Sequence, residues 1–124
     1  MNNFLLVALG GAAGSVTRYA LGLRLAGASW PQATFAVNII GGLLIGLLSG
    51  ALAVRMGEGA ERLRLLLQVG VLGGFTTFSA YSLETVMMIE RRAYASAAGY
   101  ALGSVAICLL AVGLGLLIAR RVFA

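Results

Sequence analysis

A chain of 124 residues that is 60% apolar and only 10% charged, with a mean hydropathy of +0.99, lies outside the range of water-soluble domains, which carry about 25% charged residues. It contains no histidine, aspartate or lysine, which excludes a Ser-His-Asp site, a histidine-based metal cluster and a phosphate loop ending in lysine. The net charge of +5 comes from nine arginines against four glutamates, set at segment ends with no basic run and no interleaved aromatics, so they read as headgroup anchors and not as a nucleic-acid surface.

Charged residues divide the sequence into four apolar stretches: about Phe4 to Leu21, about Ala33 to Val54, Leu65 to about Ile89, and Ala93 to Ala119. Each is near or above the ~20 residues a helix needs to cross ~30 Å of hydrocarbon. The expected architecture is an all-α integral membrane protein, one domain over 1–124, with four transmembrane helices and no extramembrane module. The N-terminal Met1-Asn2-Asn3-Phe4 lacks a positive region, so the first stretch reads as a mature helix and not a removable signal. In the first loop, Pro31 suits the first turn of helix two and Trp30 a membrane interface. Arg55 to Arg64 is the only solvent loop of any length, and Arg91-Arg92 and Arg120-Arg121 close helices three and four.

The arginines fall almost evenly on the two sides. Arg55, Arg62, Arg64, Arg120 and Arg121 lie with the N-terminus, the second loop and the C-terminus; Arg18, Arg24, Arg91 and Arg92 lie with the first and third loops. Lys/Arg bias sets orientation, so five against four favours a chain that inserts both ways and pairs antiparallel with a second copy about a twofold axis in the membrane plane. A fixed topology set by the terminal amino group or by the reach of Arg18 is the alternative.

The stretch Gly73-Gly74-Phe75-Thr76-Thr77-Phe78-Ser79-Ala80-Tyr81-Ser82 lies deep in the third apolar run. Paired glycines, paired β-branched threonines and further hydroxyls suit an unbroken helix poorly. Non-helical backbone at that depth requires burial in protein or a water-filled cavity, and the reading is a broken helix lining an ion site. The alternative is a continuous helix with a small-residue packing face, its hydroxyls bonded to i−4 carbonyls.

In helix two, Asn38, Gly42, Gly46 and Gly50 share one face that permits close approach to another helix. Asn38 thus points into protein, where its amide either bonds across an interface or donates to a permeating anion. In helix four, Ser96, Tyr100, Ser104 and Cys108 repeat at i+4 beside Gly99 and Gly103, a stripe that fits either a wet, ion-lined surface or interhelical hydrogen bonds. Arg18 either snorkels to the interface or draws anions into a vestibule. Glu84, just past the break, is an intramembrane ionisable group and a functional candidate by that fact alone. Glu90 reads as a surface charge, Met87 and Met88 as packing, and Cys108 as a buried inert thiol.

Three segments together resemble one family. Gly10-Gly11-x-x-Gly14-x-x-x-Arg18-Tyr19, then Phe35-x-x-Asn38-x-x-Gly41, then Gly73-Gly74-Phe75-Thr76-Thr77-Phe78-Ser79 with Glu84 downstream are similar to the Fluc/CrcB fluoride channels, and the likeness covers the whole chain. The resemblance implies a dual-topology antiparallel homodimer in the cell membrane. Its two pores would export fluoride that enters as HF. It further implies a structural Na⁺ on the dimer axis, bound by the Gly73 and Thr76 carbonyls of both copies. Phe78 matches the first pore phenylalanine, Asn38 the polar helix-two residue, and Ser79, Tyr100 and Ser104 a polar track. Fluoride is strongly hydrated, so donors must replace its water: the Asn38 amide and the hydroxyls of Thr77, Ser79, Tyr100 or Ser104. The chain departs from the family pattern at Tyr81, where a second phenylalanine is usual, and at Leu110 and Ala111, where another hydroxyl can stand.

A competing reading from a different class is a small dual-topology multidrug/proton antiporter. That mechanism calls for an embedded carboxylate central to the substrate site, usually in helix one, where this chain has no acid; Glu84 is the only buried candidate. A structural packing subunit without transport is a third reading, and it gives the break no purpose.

Overall fold

The computed structural model describes residues 1–27 and 29–123. Among these, all regular structure is helical: α1 (Asn3–Leu25), α2 (Gln32–Leu52), α3 (Glu58–Leu63, continuing through Arg64–Leu72 and Gly73–Phe75), α4 (Phe78–Glu90) and α5 (Tyr94–Phe123). The first, second and last are long and apolar enough to cross a bilayer singly, and α3 with α4 forms the third span, Glu58–Glu90. The protein is therefore a multi-pass membrane protein of four spans, as the charge-bounded runs predict.

Two helix pairs make up most of the packing, α1 against α3 and α2 against α5. Both are set by glycine. A side chain on Gly10 or Gly14 would run into the Leu66 or Val71 carbonyl of α3, and one on Gly46 or Gly50 into Val112 or Ala119 of α5. Lipid gives helices no hydrophobic drive to associate, so such backbone-to-backbone approach and its van der Waals contact hold the pairs together. The predicted Gly42, Gly46, Gly50 face is thus the α2–α5 seam. Gly99 and Gly103, by contrast, have nothing close to them. The buried core is small, centred on Met88, Ala97 and Tyr100 with Trp30, Phe35 and Tyr81 packed around it. Most other large apolar residues are exposed, as expected of surfaces facing hydrocarbon.

Three local features differ from the sequence expectation. The region from Arg55 to Arg64 is not all loop: Glu58–Leu63 is helical, with Glu58 and Glu61 in its first turn, as the helix dipole prefers. Pro31 lies just outside α2, as its N-terminal flanking residue. Arg64–Leu72 is wound as π-helix, a winding that nothing in its apolar sequence announces and that is frequent at functional sites. The turn from α4 to α5 is only a few residues long. Arg92 at φ 59° reverses the chain, with its N–H bonding the Ile89 carbonyl at 2.9 Å.

Candidate functional site

The third span stops being helical at two residues. Thr76 (φ −82°, ψ 158°) and Thr77 (φ −152°, ψ 116°) are extended between α3 and α4. The break is narrower than the run Gly73 to Ser82, because the two glycines remain helical: Gly74 is pressed against the Gly11 carbonyl of α1, which accounts for its lack of a side chain.

Every backbone group freed by the break needs another partner at this depth, and side chains supply several of them. Asn38 of α2 donates from Nδ2 to the Thr77 carbonyl at 3.0 Å and accepts from the Thr77 N–H at 2.8 Å. The Thr77 hydroxyl caps α4, accepting from the Ala80 N–H at 3.2 Å, and lies 3.2 Å from Ser79 Oγ. Thr76 turns its hydroxyl back to the Leu72 carbonyl at 2.9 Å. On the α1 side, Arg18 Nε donates to the Gly74 carbonyl at 3.1 Å. Arg18 therefore ties α1 to the break and does not simply extend to the membrane surface.

The rerouting has a consequence for two carbonyls. In an unbroken helix the Thr77 and Ala80 N–H groups would bond the Gly73 and Thr76 oxygens. Here those donors go to Asn38 Oδ1 and Thr77 Oγ1, which deprives both carbonyls of their helical donors.

Beside the break lies a cavity of about 290 Å³ lined by Asn38, Gly41, Gly42 and Ile45 of α2, Thr76, Thr77, Phe78 and Tyr81 of the third span, and Ser104, Val105 and Cys108 of α5. Five of the residues singled out for an anion path thus meet in one space: Asn38, Thr77, Phe78, Tyr81 and Ser104. Ser104 Oγ is buried and has no hydrogen-bond partner, an arrangement that is costly unless something outside the protein satisfies it. Phe78 is 77% exposed, and its ring is 5.3 Å from that of Tyr81, which is 5.4 Å from that of Tyr100. The Tyr81 hydroxyl donates to the Ala101 carbonyl at 2.9 Å.

Tyr100 and Glu84 do not line this cavity. They belong to a polar cluster further along α4, where Glu84 accepts from the Thr34 hydroxyl and the Tyr100 hydroxyl, both at 2.7 Å. Glu84 also lines a second space with Arg18, Thr34 and Thr77. Thr34 was not singled out by sequence. The signal available was its isolation as a hydroxyl in an apolar helix, which must find a partner somewhere. Among the described residues no group of three or more histidine, cysteine or acidic side chains could hold a metal ion.

Comparison with known proteins bears directly on this arrangement. A family described as CrcB-like protein, Camphor Resistance (CrcB), matches residues 5–116. A protein of Phenylobacterium zucineum named fluoride-specific ion channel FluC is 63% identical over the full length of both chains. Proteins of the same name from Caulobacter sp. K31 and Agrobacterium fabrum are 59% and 49% identical, each over 98% or more of both chains. These relatives are named as channels, not enzymes. A family match that runs from the first turns of α1 to the last turns of α5, with identity this high throughout, means that the chain belongs to the CrcB family.

Proposed function

We propose that the chain is a passive, fluoride-selective channel of the cell membrane, exporting cytoplasmic fluoride as an antiparallel homodimer with two passages. The observation that carries this reading is the meeting of Asn38, Thr77, Phe78 and Ser104 around one cavity, with the Ser104 hydroxyl buried and unpartnered in its wall. A hydroxyl can donate one hydrogen bond, and a small anion stripped of water needs donors. The second Asn38 amide hydrogen remains after the bond to Thr77. Phe78 can present its electropositive ring edge, an attraction weak enough to let the ion leave, which conduction requires.

Helix ends support the same reading. The N-terminus of α4 carries partial positive charge beside the cavity, and the C-terminus of α3 partial negative charge. Broken helices in other transporters use these ends for anions and cations respectively. The Gly73 and Thr76 carbonyls, without their helical donors, fit a structural Na⁺ shared between two copies. Such an ion would supply a fixed positive charge that offsets the carbonyl dipoles and holds the two breaks together. The near-even arginine count supports the antiparallel arrangement.

The test is fluoride efflux from liposomes holding the purified protein, read with a fluoride electrode, with chloride as the competing anion. Fluoride efflux that needs no pH gradient, together with retained chloride, supports the channel. Transport only when a pH gradient is imposed would point to proton coupling through Glu84 and defeat it.

A further inference from the structure

The first and third loops border a separate polar space, away from the break. It has a volume of about 160 Å³ and is lined by Ser29, Trp30 and Pro31 ahead of α2 and by Glu84, Met87 and Arg91 along and just past α4. Three of these carry donors: the Ser29 hydroxyl, the Trp30 indole N–H and the Arg91 guanidinium. Among the described residues none of the three side chains hydrogen-bonds to the protein. Nearby Gln32, by contrast, spends its amide on the Leu25 carbonyl at 2.9 Å, and Thr34 and Tyr100 spend their hydroxyls on Glu84. The indole is fixed in place, its ring packed edge-on against Phe35 at 4.8 Å and Tyr100 at 5.3 Å. Charge at this end favours an anion: Arg24, Arg91 and Arg92 are exposed, with Glu90 the one exposed acid. Glu84, the acid that lines the space, has both carboxylate oxygens bonded by hydroxyls. It also lies seven residues, about 10 Å of helix rise, inward of Arg91. α2 begins beside Pro31 with no side-chain cap, and its partial positive charge adds to that field.

We propose that this space holds the phosphate of an anionic phospholipid taken from the surrounding leaflet. The Arg91 guanidinium pairs with the phosphate oxygens, a match of planar donors to an oxyanion, and Ser29 and Trp30 complete its hydrogen bonds. The volume exceeds several times the ~30 Å³ share of a water molecule, which leaves room for a phosphate at the Arg91 end, clear of Glu84. The lipid source follows from position. Trp30 and the loop arginines set the pocket at headgroup level, and Met87, 45% exposed, continues its wall into an apolar surface on which acyl chains can lie. Net charge sets the preference: a headgroup whose only charge is its phosphate stays negative, whereas ethanolamine or choline brings a cation toward Arg24 and Arg92. The site goes beyond the fluoride reading and does not depend on it.

The test uses the full chain in detergent, mixed with phosphatidylglycerol or phosphatidylethanolamine of the same acyl chains, with bound lipid counted by native mass spectrometry. Wild type is expected to retain phosphatidylglycerol over phosphatidylethanolamine by roughly fivefold or more. Arg91→Gln should lose that preference, and Arg121→Gln, changed at the far end of α5, should keep it. Equal retention of the two lipids by wild type overturns the site, a comparison that needs no variant. A preference that survives in Arg91→Gln also overturns it, as does an equal loss in both variants, which would assign the preference to surface charge in general. Excess inorganic phosphate decides the source: bound lipid that stays supports the phospholipid, and lipid stripped by phosphate would make free phosphate the occupant and defeat the proposal.

Discussion

Asn38 and Thr77 hold each other through both ends of one amide: Nδ2 donates to the Thr77 carbonyl at 3.0 Å, and Oδ1 accepts from the Thr77 N–H at 2.8 Å. One side chain from the second span thereby satisfies both backbone groups of the residue at which the third span leaves its helix. Because non-helical backbone at membrane depth cannot be left bare, the break and Asn38 form one unit.

Replacement of Asn38 by alanine removes both partners and leaves the part-buried N–H and C=O of Thr77 without them. At about 1–3 kcal/mol for each orphaned group, Asn38→Ala is expected to lower the unfolding midpoint markedly in detergent and to reduce fluoride flux with it. A thermal melt followed by size-exclusion chromatography checks the first. A melt equal to wild type would show that the break does not depend on the amide.

The helix seams make a second prediction. A methyl group on Gly46 meets the Val112 carbonyl of α5, whereas one on Gly22 meets nothing within 4 Å. Gly46→Ala therefore forces α2 and α5 apart, at about 1–3 kcal/mol for an overpacked contact. Gly22→Ala is expected to leave stability unchanged or raise it by up to ~1 kcal/mol through helix propensity. The same melting measurement, run on both variants, separates them.

Phe78 is largely exposed on a single chain and contributes a ring to the cavity wall. If its edge assists the anion, Phe78→Ile keeps an apolar side chain but loses the effect. Fluoride flux from liposomes should fall to background while the assembly state, read by cross-linking, stays as in wild type. Undiminished flux would remove Phe78 from the path.

The four spans were legible because charge bounds them, and the α2–α5 seam because Gly42, Gly46 and Gly50 share a face. The break was legible in kind but not in extent. Gly73 and Gly74 look like helix breakers, yet a glycine in a membrane helix as often marks a close crossing, and Gly74 marks the crossing with Gly11 of α1. The residues that leave the helix are the threonines, and they can do so because Asn38, distant in sequence, receives Thr77, while Thr76 turns back to Leu72. The cluster of Thr34, Glu84 and Tyr100 was hidden for the same reason. Its members are single polar residues on three helices, and only the packing brings two hydroxyls onto one carboxylate. The π-winding of Arg64–Leu72 has no sequence mark at all.

The central claim is that the Ser104 hydroxyl is kept unpartnered for the ion, and Ser104→Ala tests it most directly. Because Oγ has no hydrogen-bond partner in the protein, its removal breaks no internal hydrogen bond, and the unfolding midpoint should be unchanged or slightly raised. Loss of one donor along the anion path, at about 1.5 kcal/mol, should slow fluoride efflux roughly tenfold. A variant that conducts fluoride at the wild-type rate but melts early would contradict the account, because the hydroxyl would then serve the fold and not the ion.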